Sequence, residues 1–160
     1  MPAETLRNEK GRWNMGNNQI TLSGEIISEL ISEALFMRTR SYIPYSGFAV
    51  GAALLTESGR IYGGCNIENA AYPVTISAER TAMVKAVSEG ERVFRAIAIA
   101  GGREEEPEGY SYPCGSCRQF MREFCDSETF VIIVARSVED YKIFTLEELL
   151  PNSFGPESLI

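Results

Sequence analysis

The chain has 160 residues, 44% of them apolar, which is enough for one compact domain with its own core and too few to divide comfortably into two. Its 15 basic and 22 acidic residues give a net charge of -7, which argues against a nucleic-acid backbone or an anionic membrane surface as the main partner and leaves a neutral or cationic small molecule. No run approaches the roughly 20 apolar residues of a membrane span, and the N-terminus lacks the apolar core of a signal peptide, so the expected location is the cytosol.

In chain order, residues 1–20 are polar, Asn-rich and aperiodic, and they read as a flexible leader in which Met15 is an alternative start. Residues 21–160 are expected to form a single domain. From Ser23, apolar residues at Ile26, Ile27, Leu30, Ile31, Ala34 and Leu35 trace one stripe of an amphipathic helix that ends before Pro44. "FAVGAALLT" and "RIYGGCN" read as two strands joined by a tight turn at "ESGR". After a loop through Pro73, "AERTAMVKAVSEG" predicts a helix starting near Ala78 and stopping at Gly90. "FRAIAIAG" is a continuous apolar strand of the kind buried in a covered sheet. "GREEEPEGYSY" reads as a charged, solvated loop, followed by a helix over "GSCRQFMREFC", strands at "TFVIIVA" and "YKIFT", and a short helix at "LEELLP". Alternating helices and strands predict an α/β class, a mixed sheet covered by helices.

The chemistry is concentrated at two predicted helix starts. Four cysteines, Cys65, Cys114, Cys117 and Cys125, are expected as thiols or metal ligands in a reducing setting. The sequence contains no histidine, so any metal site must use thiolate or carboxylate, and any proton shuttle must use a perturbed carboxylate, Lys, Tyr or Cys. In "PCGSC", Cys114 and Cys117 lie three apart across a first helical turn, where both reach one ion and the helix N-terminus favours thiolate. By itself the motif leaves three readings open: a zinc site, a redox pair, or two buried thiols. Two thiolates do not fill a tetrahedral zinc site, which calls for a third protein ligand and a water position. Upstream, Cys65-Asn66-Ile67-Glu68 offers a thiol with a carboxylate three residues on, whereas Ser77-Ala78-Glu79 offers ligand-x-Glu spacing with a serine in the ligand position. Taken alone, Ser77 and Glu79 also make an ordinary N-cap and first-turn acid.

The combination of Ser-Ala-Glu-Arg-Thr-Ala, residues 77–82, with Pro-Cys-Gly-Ser-Cys-Arg-Gln, residues 113–119, resembles the small homotetrameric cytidine deaminases. In that family a cysteine precedes the Ala-Glu-Arg-Thr-Ala segment. The resemblance extends from about Tyr42 to Leu159 through "PYSGFAVGAALL", "GCNIENAAYP", "KAVSEG" and "ELLPNSFGPESL". It implies a three-layer α/β/α fold, a zinc cofactor and hydrolytic deamination of cytidine or 2′-deoxycytidine in pyrimidine salvage. It also implies site roles. Zinc falls to Cys114, Cys117 and the position of Ser77, with Glu79 as proton shuttle and Arg80 as hydrogen-bond donor to the ligands. The backbone N–H of Ala78 meets O2 of the base, and Asn66 and Glu68 take the ribose hydroxyls. Phe48 and Tyr72 flank the nucleoside, and Phe154 reaches a neighbouring subunit's site. Cys65 is then a buried structural thiol.

Ser77 is the departure from the family pattern. Three accounts of it compete: a substitution introduced to trap substrate or empty the site, drift toward a non-catalytic nucleoside binder, and a serine that completes a weak but working site. The expectation is a deaminase by ancestry with weakened zinc binding. The alternatives are an inactive nucleoside-binding homologue and a deaminase of blasticidin-type nucleosides; Asn66, Glu68 and the "SFGP" tail fit cytidine better.

Overall fold

The computed structural model describes residues 22–103, 105 and 107–159, together with two short strands, β1 (Leu6–Arg7) and β2 (Trp13–Asn14), that pair antiparallel. The rest of the expected leader, with Met15, lies outside the described residues. The predicted elements appear in order as α1 (Gly24–Arg38), β3 (Ala49–Thr56), β4 (Ile61–Cys65), α2 (Ala78–Ser88), β5 (Phe94–Gly102), α3 (Gly115–Phe124), β6 (Val131–Ala135), β7 (Tyr141–Thr145) and α4 (Leu146–Leu149).

Strands β3 to β7 form one five-stranded sheet in the order β4-β3-β5-β6-β7. All neighbours run antiparallel except β5 and β6, which are parallel and are joined by a crossover through α3. The sheet is therefore mixed, as the alternating pattern predicts. No helix among the described residues is long and apolar enough to cross a membrane.

Side-chain alternation sorts the sheet into two buried faces. Ala53, Leu55, Ala96, Ala98, Ala100, Val131 and Ile133 pack with Ile27, Leu30, Ile31 and Ala34 of α1. Their alternates Ala52, Leu54, Ile97, Ile99, Ile132 and Val134 pack with Ala78, Ala82 and Met83 of α2 and Met121 of α3. Helix on one side and helices on the other give three layers. Both faces of the central strands are covered, which explains why "FRAIAIAG" carries no polar alternation.

Two glycines allow the helices to approach closely. A Cβ at Gly51 would lie 1.9 Å from the Ala34 carbonyl oxygen of α1, and one at Gly64 would lie 2.4 Å from the Ala78 carbonyl and 2.5 Å from the Ala82 nitrogen. Gly64 thus seats the first turn of α2 directly on β4. That contact fixes the height of Ser77, Ala78 and Glu79 above the sheet.

Candidate functional site

Helices α2 and α3 both present their N-termini to one pocket of about 430 Å³. Ser77 is the N-cap of α2 with extended backbone, φ -72° and ψ 159°, and its Oγ accepts from the Arg80 backbone N–H at 3.2 Å. The same oxygen accepts from Arg80 Nε at 3.2 Å and from the Cys117 thiol at 3.1 Å. Arg80 is held in place by a second bond, from Nη2 to the Thr75 carbonyl at 3.1 Å. A guanidinium and a helix amide both aimed at one atom make a position suited to an anion. Serine places a neutral hydroxyl there.

Cys114 is the N-cap of α3 and Cys117 follows in its first turn, with the two sulfurs 3.1 Å apart. Cys114 is exposed and Cys117 is buried. Burial would raise the Cys114 thiol, but hydrogen bonds from the Cys117 side chain and from the backbone N–H groups of Cys117 and Ser116 outweigh it and hold the group below its ordinary value. Cys117 is pushed up to about 12, first by burial and then by the nearby charge of Glu79.

Glu79 completes the cluster. It is 5% exposed, sits in the first turn of α2, and lies beside the Cys117 and Ser77 side chains. Burial is the largest influence and raises its carboxyl above the ordinary value, against the lowering effect of its own backbone N–H, the Cys117 and Ser77 side chains and the charge of Arg80. A carboxyl so placed holds a proton more readily than one in water, which suits a group that must take and return one.

Whether this cluster suits a metal is decided by its donors. The Cys117 Sγ lies 3.1 Å from both the Cys114 Sγ and the Ser77 Oγ, and all three residues line the same pocket. Zinc–sulfur bonds of about 2.3 Å in a tetrahedral site separate two sulfurs by roughly 3.8 Å, so the 3.1 Å spacing must open modestly to admit an ion. The three atoms fit zinc by position. By charge the set is one thiolate short of a three-cysteine site.

The remaining expected residues divide into two groups. Phe48, Asn66, Ala78 and Arg80 line the pocket with the cluster. Ala78 is the first helical residue, so its N–H has no acceptor within the helix. The Asn66 amide is engaged by the start of β3, donating to the Phe48 carbonyl at 2.8 Å and accepting from Val50 N–H at 2.9 Å. Glu68, Tyr72 and Phe154 do not line this pocket. The Glu68 carboxylate accepts from the N–H groups of Tyr45 and Ser46 at 2.9 and 3.2 Å, and bonds from Ser46 and that backbone hold it below its usual range. Tyr72 is 64% exposed and meets Tyr45 edge to face, with ring centroids 5.9 Å apart. Phe154 is 59% exposed, its carbonyl accepting from Gln119 Nε2 at 3.0 Å.

Cys65 and Cys125 are buried and line no part of the pocket. Cys65 donates to the Arg40 carbonyl at 3.4 Å, and burial raises its thiol above the ordinary value. Sequence reasoning missed Tyr110, Ser111 and Tyr112, which line the pocket although the segment containing them was expected to be wholly solvated. The Tyr110 hydroxyl donates to Asp140, tying this wall to the β6–β7 connection. The available signal was the change from acidic to aromatic residues immediately before the Pro-Cys-Gly motif.

Residues 25–133 match the family model described as the cytidine and deoxycytidylate deaminase zinc-binding region. The cytidine deaminase of Sporosarcina psychrophila is 46% identical over 133 residues, covering 83% of this chain and 94% of that protein. The probable cytidine deaminase of Dictyostelium discoideum is 42% identical over 139 residues, covering 87% and 90%. Among solved structures, the cytidine deaminase of Burkholderia pseudomallei superposes with a TM-score of 0.72 at 41% identity, covering 79% of this chain and 97% of that one.

Proposed function

The chain belongs to the zinc-binding cytidine and deoxycytidylate deaminase family, and on that premise we propose that it hydrolyses cytidine and 2′-deoxycytidine to uridine and 2′-deoxyuridine with release of ammonia. The observation that carries this reading is the buried carboxyl of Glu79, in contact with Ser77 and Cys117 at the N-termini of two helices that share a pocket.

Cys114, Cys117 and Ser77 would hold the zinc ion, which when bound supplies a water acidic enough to yield hydroxide near neutral pH. The chain's own groups do the rest. Glu79 accepts one proton from the water and delivers it to N3 of the pyrimidine, then takes the second, from the hydroxyl added at C4, and passes it to the C4 amino group, which leaves as ammonia as the C4–N bond breaks; a raised pKa suits both transfers. The Ala78 N–H at the start of α2 donates to O2 of the base, where the helix dipole favours negative charge. Phe48 supplies an apolar wall, and Asn66 stiffens that wall while offering its remaining amide valences to the sugar. Glu68 holds the 45–46 turn through the Tyr45 and Ser46 N–H groups, and its carboxylate is assigned to the ribose hydroxyls by resemblance.

Tyr72 flanks the nucleoside from outside the pocket wall, and the exposure of Phe154 suits a homotetramer in which it closes a neighbour's pocket. The setting is pyrimidine salvage in the cytoplasm. Ser77 favours a second reading, a nucleoside-binding homologue with reduced catalysis, because a neutral oxygen occupies the position that Arg80 prepares for an anion.

Turnover of cytidine, 2′-deoxycytidine and deoxycytidylate by zinc-supplemented protein, beside Glu79→Gln, tests the proposal. The nucleosides should be deaminated and the variant should lose about 10²–10⁴-fold in rate. Binding of cytidine without turnover by the zinc-loaded protein would favour the second reading.

A further inference from the structure

The 3.1 Å separation of the Cys114 and Cys117 sulfurs lies between two different endpoints. A disulfide requires about 2.05 Å, so the sulfurs must close by roughly 1 Å. A tetrahedral zinc ion requires roughly 3.8 Å, so they must open by a little less. One pair of atoms cannot satisfy both.

The surroundings select this pair. Among the described residues Cys117 has one sulfur within reach, because its other close partner is the Ser77 hydroxyl, which accepts from it and forms no disulfide. Cys65 is bonded to the Arg40 carbonyl, away from the pocket. Cys125 lies at the opposite end of α3, eight residues along and roughly 12 Å away at 1.5 Å per residue. Both cysteines line the pocket, Cys114 exposed and Cys117 buried, the arrangement of a sulfur that meets an oxidant and a sulfur that resolves the product. A Cβ at the intervening Gly115 would touch nothing within 4 Å, so the turn has room to adjust.

We propose that Cys114 and Cys117 form a reversible dithiol–disulfide switch, closed by hydroperoxides and held open by zinc. The Cys114 sulfur attacks one peroxide oxygen: an S–O bond forms, the O–O bond breaks, and the leaving hydroxide departs as water with the thiol proton. The Cys117 sulfur then attacks the sulfenic sulfur: the S–S bond forms, the S–O bond breaks, and a second water carries away the Cys117 proton. Two thiols lose two electrons and one peroxide becomes two waters. A thiol reductant reverses the change. In a three-thiolate site the ion would have one more anionic ligand to retain it; serine at position 77 leaves zinc and oxidant in closer competition. The zinc half of the switch rests on the metal placement proposed above, and the disulfide half does not.

The test uses the full chain, stripped of metal and treated with hydrogen peroxide, with thiol counting and mass spectrometry of the tryptic fragment 104–118, which contains both cysteines. The expected result is loss of two of the four thiols, both within that fragment, with recovery on adding dithiothreitol. Zinc at ten times its Kd should slow closure about 10-fold, since roughly a tenth of the protein is then metal-free. Oxidation of Cys114 onward to sulfinic acid without pairing, or thiol loss spread over Cys65 and Cys125, overturns the switch even if zinc binds. Closure at an unchanged rate under saturating zinc overturns the mutual exclusion, and with it the placement of zinc on these thiols.

Discussion

Replacing Ser77 by cysteine should strengthen zinc binding while weakening the metal-free fold, and the opposite signs make the experiment decisive. In the metal-free protein Ser77 Oγ caps α2, accepting the Arg80 N–H at 3.2 Å. Losing a good N-cap costs about 0.5–2 kcal/mol, and a thiol is a poorer acceptor. With zinc bound, the substituted sulfur is a thiolate facing two donors, the Arg80 backbone N–H and Nε, both 3.2 Å from the present oxygen. A hydrogen bond to a charged group is worth about 1.5–3 kcal/mol, against about 1 kcal/mol for a neutral pair, so two of them contribute about 1–4 kcal/mol more. The expected gain in zinc affinity is therefore about 10-fold or more, or about 1.4 kcal/mol and upward. No backbone change is needed, because the extended N-cap conformation suits either residue. Competition against a zinc-chelating dye gives the affinity. Ammonia release gives the rate, and urea denaturation with and without chelator gives the two stabilities. The rate should rise with occupancy. If the Ser77 protein already retains one zinc per chain and turns over as fast as Ser77→Cys, the serine is a competent ligand and the reasoning from charge fails.

Other consequences are testable in the same protein. Burial raises the Glu79 pKa, so the folded state binds that proton more tightly than the unfolded chain. The stability tied to its protonated form is complete below the unfolded carboxyl range and is lost as pH rises through the folded value. Metal-free Glu79→Gln should accordingly match the parent near pH 4 and exceed it near pH 8 in denaturant midpoint; an equal difference at both would refute the burial argument. Gly64→Ala places a methyl 2.4 Å from the Ala78 carbonyl. It should cost about 1–3 kcal/mol and lower zinc affinity by tilting the first turn of α2. A stable variant with unchanged affinity would mean that β4 does not set that turn. Cys65→Ala should leave zinc content unchanged, measured by metal analysis, because the Cys65 sulfur bonds to Arg40 away from the pocket; loss of zinc would require a different ligand set.

Much of this architecture is legible in the sequence because its patterns have physical causes. The apolar run at residues 96–100 marks a strand covered on both faces, and the stripe from Ile26 to Leu35 marks the helix that covers one of them. Sequence spacing identifies Cys114 and Cys117 as neighbours, since three residues across a helix start is a local relation. It does not bring Ser77 to Cys117, a contact spanning 40 positions; that pairing came only through resemblance, and the fold places the two atoms 3.1 Å apart. The Asn66 clamp on Phe48 and Val50 is likewise a cross-strand contact with no local signature. Tyr110, Ser111 and Tyr112 were obscured by the acidic run before them, whose charge suggested solvent for the whole segment. Tyr110 is held in that wall by its hydroxyl's bond to Asp140, 30 residues on.

The central claim is that Glu79, Cys114, Cys117 and Ser77 form a hydrolytic deamination site. The most direct measurement is turnover of cytidine by the zinc-supplemented protein in water enriched in oxygen-18, with nucleoside mass and ammonia followed together. The account predicts uridine carrying the heavy oxygen, ammonia released one for one, and both products formed about 10²–10⁴-fold more slowly by Glu79→Gln. Zinc-loaded protein that leaves cytidine unchanged, or a Glu79→Gln variant that deaminates at the parent's rate, would contradict it.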